Sequence, residues 1–198
     1  CGPVGLMAMK CAQMLGAERV VAIDRYPERL RLAADACGAD TINFEDDAEV
    51  FDRLRAMTGG RGPDACIDAV GMEAHGPTSE GLLDRLKSAG LAPTDRAHAL
   101  RQAIHACRKG GTVSIPGVYA GSIDRFPIGQ AFAKNLTLRM GQTHVQKYMR
   151  PLLERIVDGE IDPSFVISHR TTLEDAPKMY REFSENRDAC SKVVMRPS

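Results

Sequence analysis

Two glycines separated by two residues, Gly2-Pro-Val-Gly5, open an apolar stretch of helical character. A short β-branched run, Val20-Val-Ala-Ile, follows and ends on the carboxylate of Asp24. Few folds accommodate that order. Nineteen residues separate Gly5 from Asp24, close to the ~20 between a phosphate-binding turn and a ribose-binding acid in a dinucleotide fold. The complete fingerprint is G-x-G-x-x-G, and here Cys1 stands where the x after a first glycine would be. The chain is therefore expected to begin inside this motif, with its natural start upstream.

Each part of the stretch has a physical task. Gly2 lets the backbone approach a pyrophosphate, and Gly5 lets the helix pack closely on its strand. The free N–H groups at the helix start, by Pro3 and Val4, face the phosphates, where the helix dipole favours negative charge. Asp24 accepts hydrogen bonds from the adenosine ribose diol, and a 2′-phosphate there would meet a like charge, so the motif selects NAD over NADP. The plainer reading is a glycine turn before an amphipathic helix, with Asp24 a surface acid at a strand end.

Composition narrows the function classes. Lys plus Arg (26) balance Asp plus Glu (26), so no basic field exists to attract nucleic acid or a membrane surface. No apolar run approaches the ~18 residues of a membrane span. Six cysteines (Cys1, Cys11, Cys37, Cys66, Cys107, Cys190) lack any C-x-x-C spacing, which reads as reduced thiols in a cytoplasmic protein. Five histidines and these cysteines show no ligand spacing, so no metal site is expected within the chain.

Helices and β-branched runs alternate along the rest. Helices are expected at Val4–Leu15, Pro27–Cys37, Asp46–Thr58 and Thr94–Cys107. Strands are expected at Val20–Asp24, Thr41–Asn43, Ala65–Val70, Thr112–Ile115 and Asn135–Met140. The long Gly71–Pro93 segment breaks the rhythm, as a lid over the adenosine end, a plain surface excursion or an oligomer contact. From Gly141 the pattern changes to a helix at Tyr148–Val157, a strand at Phe165–Ser168, a helix at Leu173–Phe183 and a strand at Lys192–Met195. Such alternation predicts an α/β fold with a doubly wound parallel Rossmann sheet over residues 1–140, and a separate segment over 141–198. In that sheet the first strand is central and should precede Cys1. Without it, neighbouring strands expose unpaired edges, and the isolated chain is expected to be poorly soluble.

The segments CGPVGLMA, VVAIDRYPERL, GGRGPDACIDAVG, CRKGGTVSIPGVY, IVDGEIDPSFVISHRTTLEDAPKMY and SKVVMRP carry a family likeness. The chain resembles the C-terminal half of the zinc-dependent medium-chain alcohol dehydrogenases, over nearly all its length. The segment after Val70 and Gly141-Gln-Thr-His144 look most like the formaldehyde dehydrogenase and dismutase branch.

The resemblance implies that Asp24 holds the adenosine ribose, that Arg29 supports it, and that Arg25 lies against the adenine. Val70 and Gly71 would line the nicotinamide ribose, Gly117, Val118 and Gly141 the carboxamide side, and Lys192 the pyrophosphate. The tail would be a piece of a GroES-like catalytic domain. The catalytic zinc and its Cys and His ligands would lie outside this chain, which would not be active alone. His144 would be a weak catalytic candidate beside the nicotinamide, or else an interface histidine.

The implied activity is hydride transfer between a small alcohol or aldehyde and NAD, in a homo-oligomer (dimer or tetramer) whose edge would involve the sixth strand of the sheet and residues 121–130. The alternatives are a zinc-free quinone or enoyl reductase of the same superfamily and a non-catalytic NAD-binding module.

Overall fold

The computed structural model describes residues 1–46, 49–71, 97–119, 123, 125–186 and 188–197. Most of the Gly71–Pro93 segment therefore lies outside the described residues. The chain divides into two compact units, Cys1–Asp46 with His144–Ser198, and Asp47–Thr143.

The first unit begins with helix α1 (Pro3–Met14), strand β1 (Val21–Asp24), helix α2 (Pro27–Cys37) and strand β2 (Asp40–Asn43). Strands β1 and β2 pair in parallel, with Ala22 opposite Thr41 and Asp24 opposite Asn43. Pro27 occupies the first turn of α2, where its missing N–H costs nothing. Gly38 ends the helix at φ +57°, a left-handed conformation that glycine adopts without strain. Leu6 and Met9 of α1 and Leu30, Ala33 and Cys37 of α2 form a buried core with Ala22 and Ala39.

Val166 completes that core, and this corrects one expectation. The predicted strand Phe165–Ser168 is instead a 3₁₀ turn over Pro163–Val166. The Asp162 carboxylate accepts the Ser164 N–H at 2.8 Å, and Pro163 cannot donate to a ladder. The apolar run thus plugs a core instead of joining a sheet. The strand falls one step later, β6 (His169–Thr172), and pairs in parallel with β7 (Val193–Arg196). Helix α6 (Val145–Val157) opens the first unit's second segment, and helix α7 (Ala176–Glu185) links β6 to β7. Helix α6 buries none of its residues; Tyr148, Met149, Leu152, Leu153 and Ile156 are all exposed.

In the second unit, helix α3 (Val50–Met57), strand β3 (Ala65–Ile67), helix α4 (His98–Ala106), strand β4 (Thr112–Ile115), helix α5 (Ile128–Ala133) and strand β5 (Thr137–Met140) follow in order. Strands β3, β4 and β5 form a parallel sheet with β4 central. Leu100, Ile104, Cys107, Val113, Ile115 and Ala131 make its core. Helix α5 was not foreseen, because Pro127 and Gly129 read as a plain connection. Among the described residues, the seven strands are hydrogen-bonded as three separate parallel sheets.

All six cysteines are free thiols. A hydrogen bond from Cys66 draws the Cys107 thiol down to about 7 against its burial, with Lys134 and Arg108 nearby adding to the effect. Cys66 is pushed up in turn.

Lys134 closes the end of α4. Its ammonium donates to the carbonyls of Ile104 (3.1 Å), His105 (2.6 Å) and Cys107 (2.9 Å). A cation at a helix C-terminus satisfies orphan carbonyls and the negative end of the dipole. The Lys134→Met variant is expected to lose about 1–2 kcal/mol of stability, read as a lowered midpoint in urea denaturation. An unchanged midpoint would show that solvent caps those carbonyls equally well.

Candidate functional site

In the first unit, the start of α1 and the end of β1 meet. Gly2 is the N-cap of α1, with Pro3 at its first position, and the Leu6 N–H closes the first turn on the Gly2 carbonyl at 2.9 Å. No acidic side chain sits in this turn, so its positive end is not neutralised from within. A Cβ on Gly2 would meet nothing within 4 Å. The space over the helix start is open.

Asp24 is only 9% exposed. Its Oδ1 accepts the N–H groups of Arg25 (2.7 Å) and Tyr26 (3.2 Å), and its Oδ2 accepts from the amino nitrogen of Cys1. The glycine turn and the strand-end acid, distant in sequence, are thus in direct contact. Burial raises the carboxyl's pKa, and the hydrogen bonds from the Tyr26 and Arg25 N–H groups act against it. A carboxylate has about four accepting sites, so Asp24 keeps accepting capacity.

Arg25 and Arg29 both stack on Tyr26, their guanidinium carbons 4.8 and 4.6 Å from the ring centroid. Arg25 also donates to the Tyr26 hydroxyl at 2.8 Å. Beside Tyr26 lies an open cavity of about 330 Å³, walled by Ser184, Glu185, Asn186, Asp188 and Ala189. Tyr26 was not singled out in the sequence, although its place between Asp24 and Pro27 was the available signal. Lys192 enters β7, and its carbonyl accepts the N–H groups of Ser168 (2.9 Å) and His169 (3.2 Å). Val4, on the first turn of α1, is exposed, and Gly5 is half-buried.

The second unit brings Val70, Gly71, Gly117 and Val118 together. Gly71 has φ +66°, and a Cβ there would sit 2.5 Å from the backbone N and O of Val118. A Cβ on Gly117 would lie 2.4 Å from the Gly71 nitrogen. The two loops therefore touch backbone to backbone. Val118 is 70% exposed and Val70 is exposed beside it.

Asp68 organises this contact, and sequence reasoning passed over it. Its Oδ1 accepts the Val70 and Gly71 N–H groups at 3.0 and 3.1 Å. Its Oδ2 accepts the Tyr119 hydroxyl at 2.5 Å. The same bonds end β3 at Ile67, short of the expected Val70. A lone acid in the apolar run Ala65-Cys-Ile-Asp-Ala-Val was the signal that went unused.

Gly141 follows β5 with φ +145° and open space where a side chain would lie. His144 is exposed and is the N-cap residue of α6 without a side-chain capping bond. Among the described residues, no three His, Cys, Asp or Glu side chains converge as a metal-ligand set. No helix among them is long and apolar enough to cross a membrane.

Residues 3–93 match the family described as zinc-binding dehydrogenase. The chain is 40% identical over 197 residues to a zinc-type alcohol dehydrogenase-like protein of Bacillus subtilis, covering 100% of this chain and 51% of that protein. It is 33% identical to the formaldehyde dismutase of Pseudomonas putida, covering 99% of this chain and 49% of the dismutase. Among solved structures, an alcohol dehydrogenase from Thermus sp. ATN1 superposes with a TM-score of 0.80 at 35% identity, over 100% of this chain and 50% of its own. The chain spans about half the length of the curated relatives it matches. Likeness of this order runs along the whole sequence, with the parallel α/β architecture in common: the chain is similar throughout its length to about half of a zinc-type alcohol dehydrogenase.

Proposed function

We propose that this chain is the NAD-binding half of an alcohol or aldehyde dehydrogenase of the formaldehyde dehydrogenase type. The observation that carries the reading is the contact of buried Asp24 with the nitrogen of Cys1, the residue just before the open helix start at Gly2. Asp24 would accept the adenosine ribose hydroxyls, and the N–H groups after Pro3 would receive the pyrophosphate. Lys192 would add positive charge there. Tyr26, held by Arg25 and Arg29, would border the adenine. Val70, Gly71, Gly117 and Val118 would face the nicotinamide, with Gly141 beside the carboxamide. Bound NAD would supply the carbon that accepts hydride from the substrate alcohol.

The zinc implied by the family has no donor set among the described residues, and we assign its ligands to the part of the protein outside this chain. His144 is retained as a candidate for substrate contact. We further propose a cofactor domain over 1–140, and a tail over 141–198 whose exposed α6 face completes the catalytic domain. The protein would work as a homo-oligomer in the cytoplasm on a small alcohol or aldehyde, without nucleic-acid or membrane partners.

Fluorescence titration of the full-length protein with NADH and NADPH tests the reading. A preference of at least about tenfold for NADH is expected, because a 2′-phosphate beside Asp24 juxtaposes like charges. Preference for NADPH would overturn it in favour of a zinc-free reductase of the same superfamily. Binding of neither would remove the dinucleotide reading altogether.

A further inference from the structure

The second unit's loops are tied to a residue that the cofactor itself would not touch. Asp68 is 2% exposed, yet five hydrogen bonds tie it to its own loop and to β4 with the loop beyond. Its own N–H donates to the Ser114 carbonyl, and its carbonyl accepts the Gly117 N–H, both at 2.9 Å. Its carboxylate receives the Val70 and Gly71 N–H groups on one oxygen and the Tyr119 hydroxyl on the other. An ionised carboxylate offers about four accepting sites and binds donors more strongly than a neutral group. A buried acid left unpaired would be costly, and here both oxygens are engaged.

We propose that Asp68 is a positioning residue for the nicotinamide end of the cofactor, acting through the backbone of Val70–Gly71 and Gly117–Val118 with Tyr119 as its second anchor. This rests on the NAD reading above and adds to it a residue outside the cofactor-facing set. The clamp holds both sides of one surface. Gly71 and Gly117 are already in backbone contact, so a shift of either loop displaces the other. The exposed Val70 and Val118 side chains ride on those two loops. Tyr119 packs against the core of the second unit, so its bond to Asp68 refers the loops to that core. Misplacement by ~1 Å is enough to matter for reacting groups.

The test compares NADH with ADP-ribose, which lacks the nicotinamide, in the full-length protein carrying Asp68→Ala, Asp68→Asn or Tyr119→Phe. Asp68→Ala is expected to weaken NADH about tenfold or more while leaving ADP-ribose within about twofold of wild type. Asp68→Asn should recover most of the loss. Its amide oxygen still accepts the two N–H groups, and its NH₂ can donate to the Tyr119 oxygen. Tyr119→Phe should shift NADH the same way by a smaller factor, and it carries the test if Asp68→Ala does not fold. Parallel loss of both ligands in the folded variants, or unchanged NADH affinity in them, overturns the proposal while leaving the NAD reading intact. Wild-type protein that binds neither ligand removes both.

Discussion

The Asp24→Ala variant of the full-length protein is expected to bind NADH roughly 100-fold more weakly than wild type. Two ribose hydroxyls would each lose a charged acceptor worth about 1.5 kcal/mol. NADPH affinity should hold or rise, since the like charge facing a 2′-phosphate is gone. The ratio of the two affinities is therefore the quantity to measure, by fluorescence titration of both cofactors on one preparation. A stability loss will accompany the change, because Asp24 also holds the N–H groups of Arg25 and Tyr26 and the Cys1 nitrogen. A thermal melt separates that effect from binding, and the cofactor ratio is insensitive to it. Unchanged discrimination between NADH and NADPH would mean that the acid serves only to join the helix start to the strand end.

The second large effect is on stability. Gly71→Ala is expected to cost on the order of 4 kcal/mol, the sum of a left-handed backbone penalty and overpacking. The added Cβ would meet the Val118 nitrogen and oxygen at 2.5 Å. Both are main-chain atoms, so no side-chain rotation relieves the clash. Urea denaturation of the full-length protein gives the value, and a loss below ~1 kcal/mol would show that the two loops separate freely. Gly2→Ala makes the contrast. Its Cβ meets nothing within 4 Å and its φ is −73°, so the stability cost should be under about 1 kcal/mol. Its effect should fall on cofactor affinity, because the methyl would occupy the open space that a pyrophosphate needs.

The two glycines show why only part of the site was readable. Gly2 belongs to a local pattern, a turn followed by a helix, a strand and an acid, and each step follows from short-range preferences. Gly71 is constrained by Gly117, and nothing local records that meeting. Arg25 and Arg29 were singled out by the resemblance, but their shared partner Tyr26 emerged only once the turn into α2 brought both onto its ring. Asp68 was visible as an acid in an apolar strand. Its role was not, since its partners Ser114, Gly117 and Tyr119 lie on another strand and the loop beyond it.

The same division holds for the fold. Amphipathic period, Pro27 and Gly38 determined α2 to the residue, because helix start and stop signals act over a single turn. The β-branched runs determined β1 and β4 nearly as well, and their alternation with helices determined parallel pairing. Tertiary packing decided the rest. Phe165-Val-Ile has strand composition, yet Val166 fills the core beneath α1 and α2, and burial of an apolar side chain outweighs a β preference of under ~1 kcal/mol. The strand β3 stops at Ile67 because a buried carboxylate takes the next N–H groups for itself. Local signals set what each segment can be; long-range burial and hydrogen-bond satisfaction chose among the possibilities.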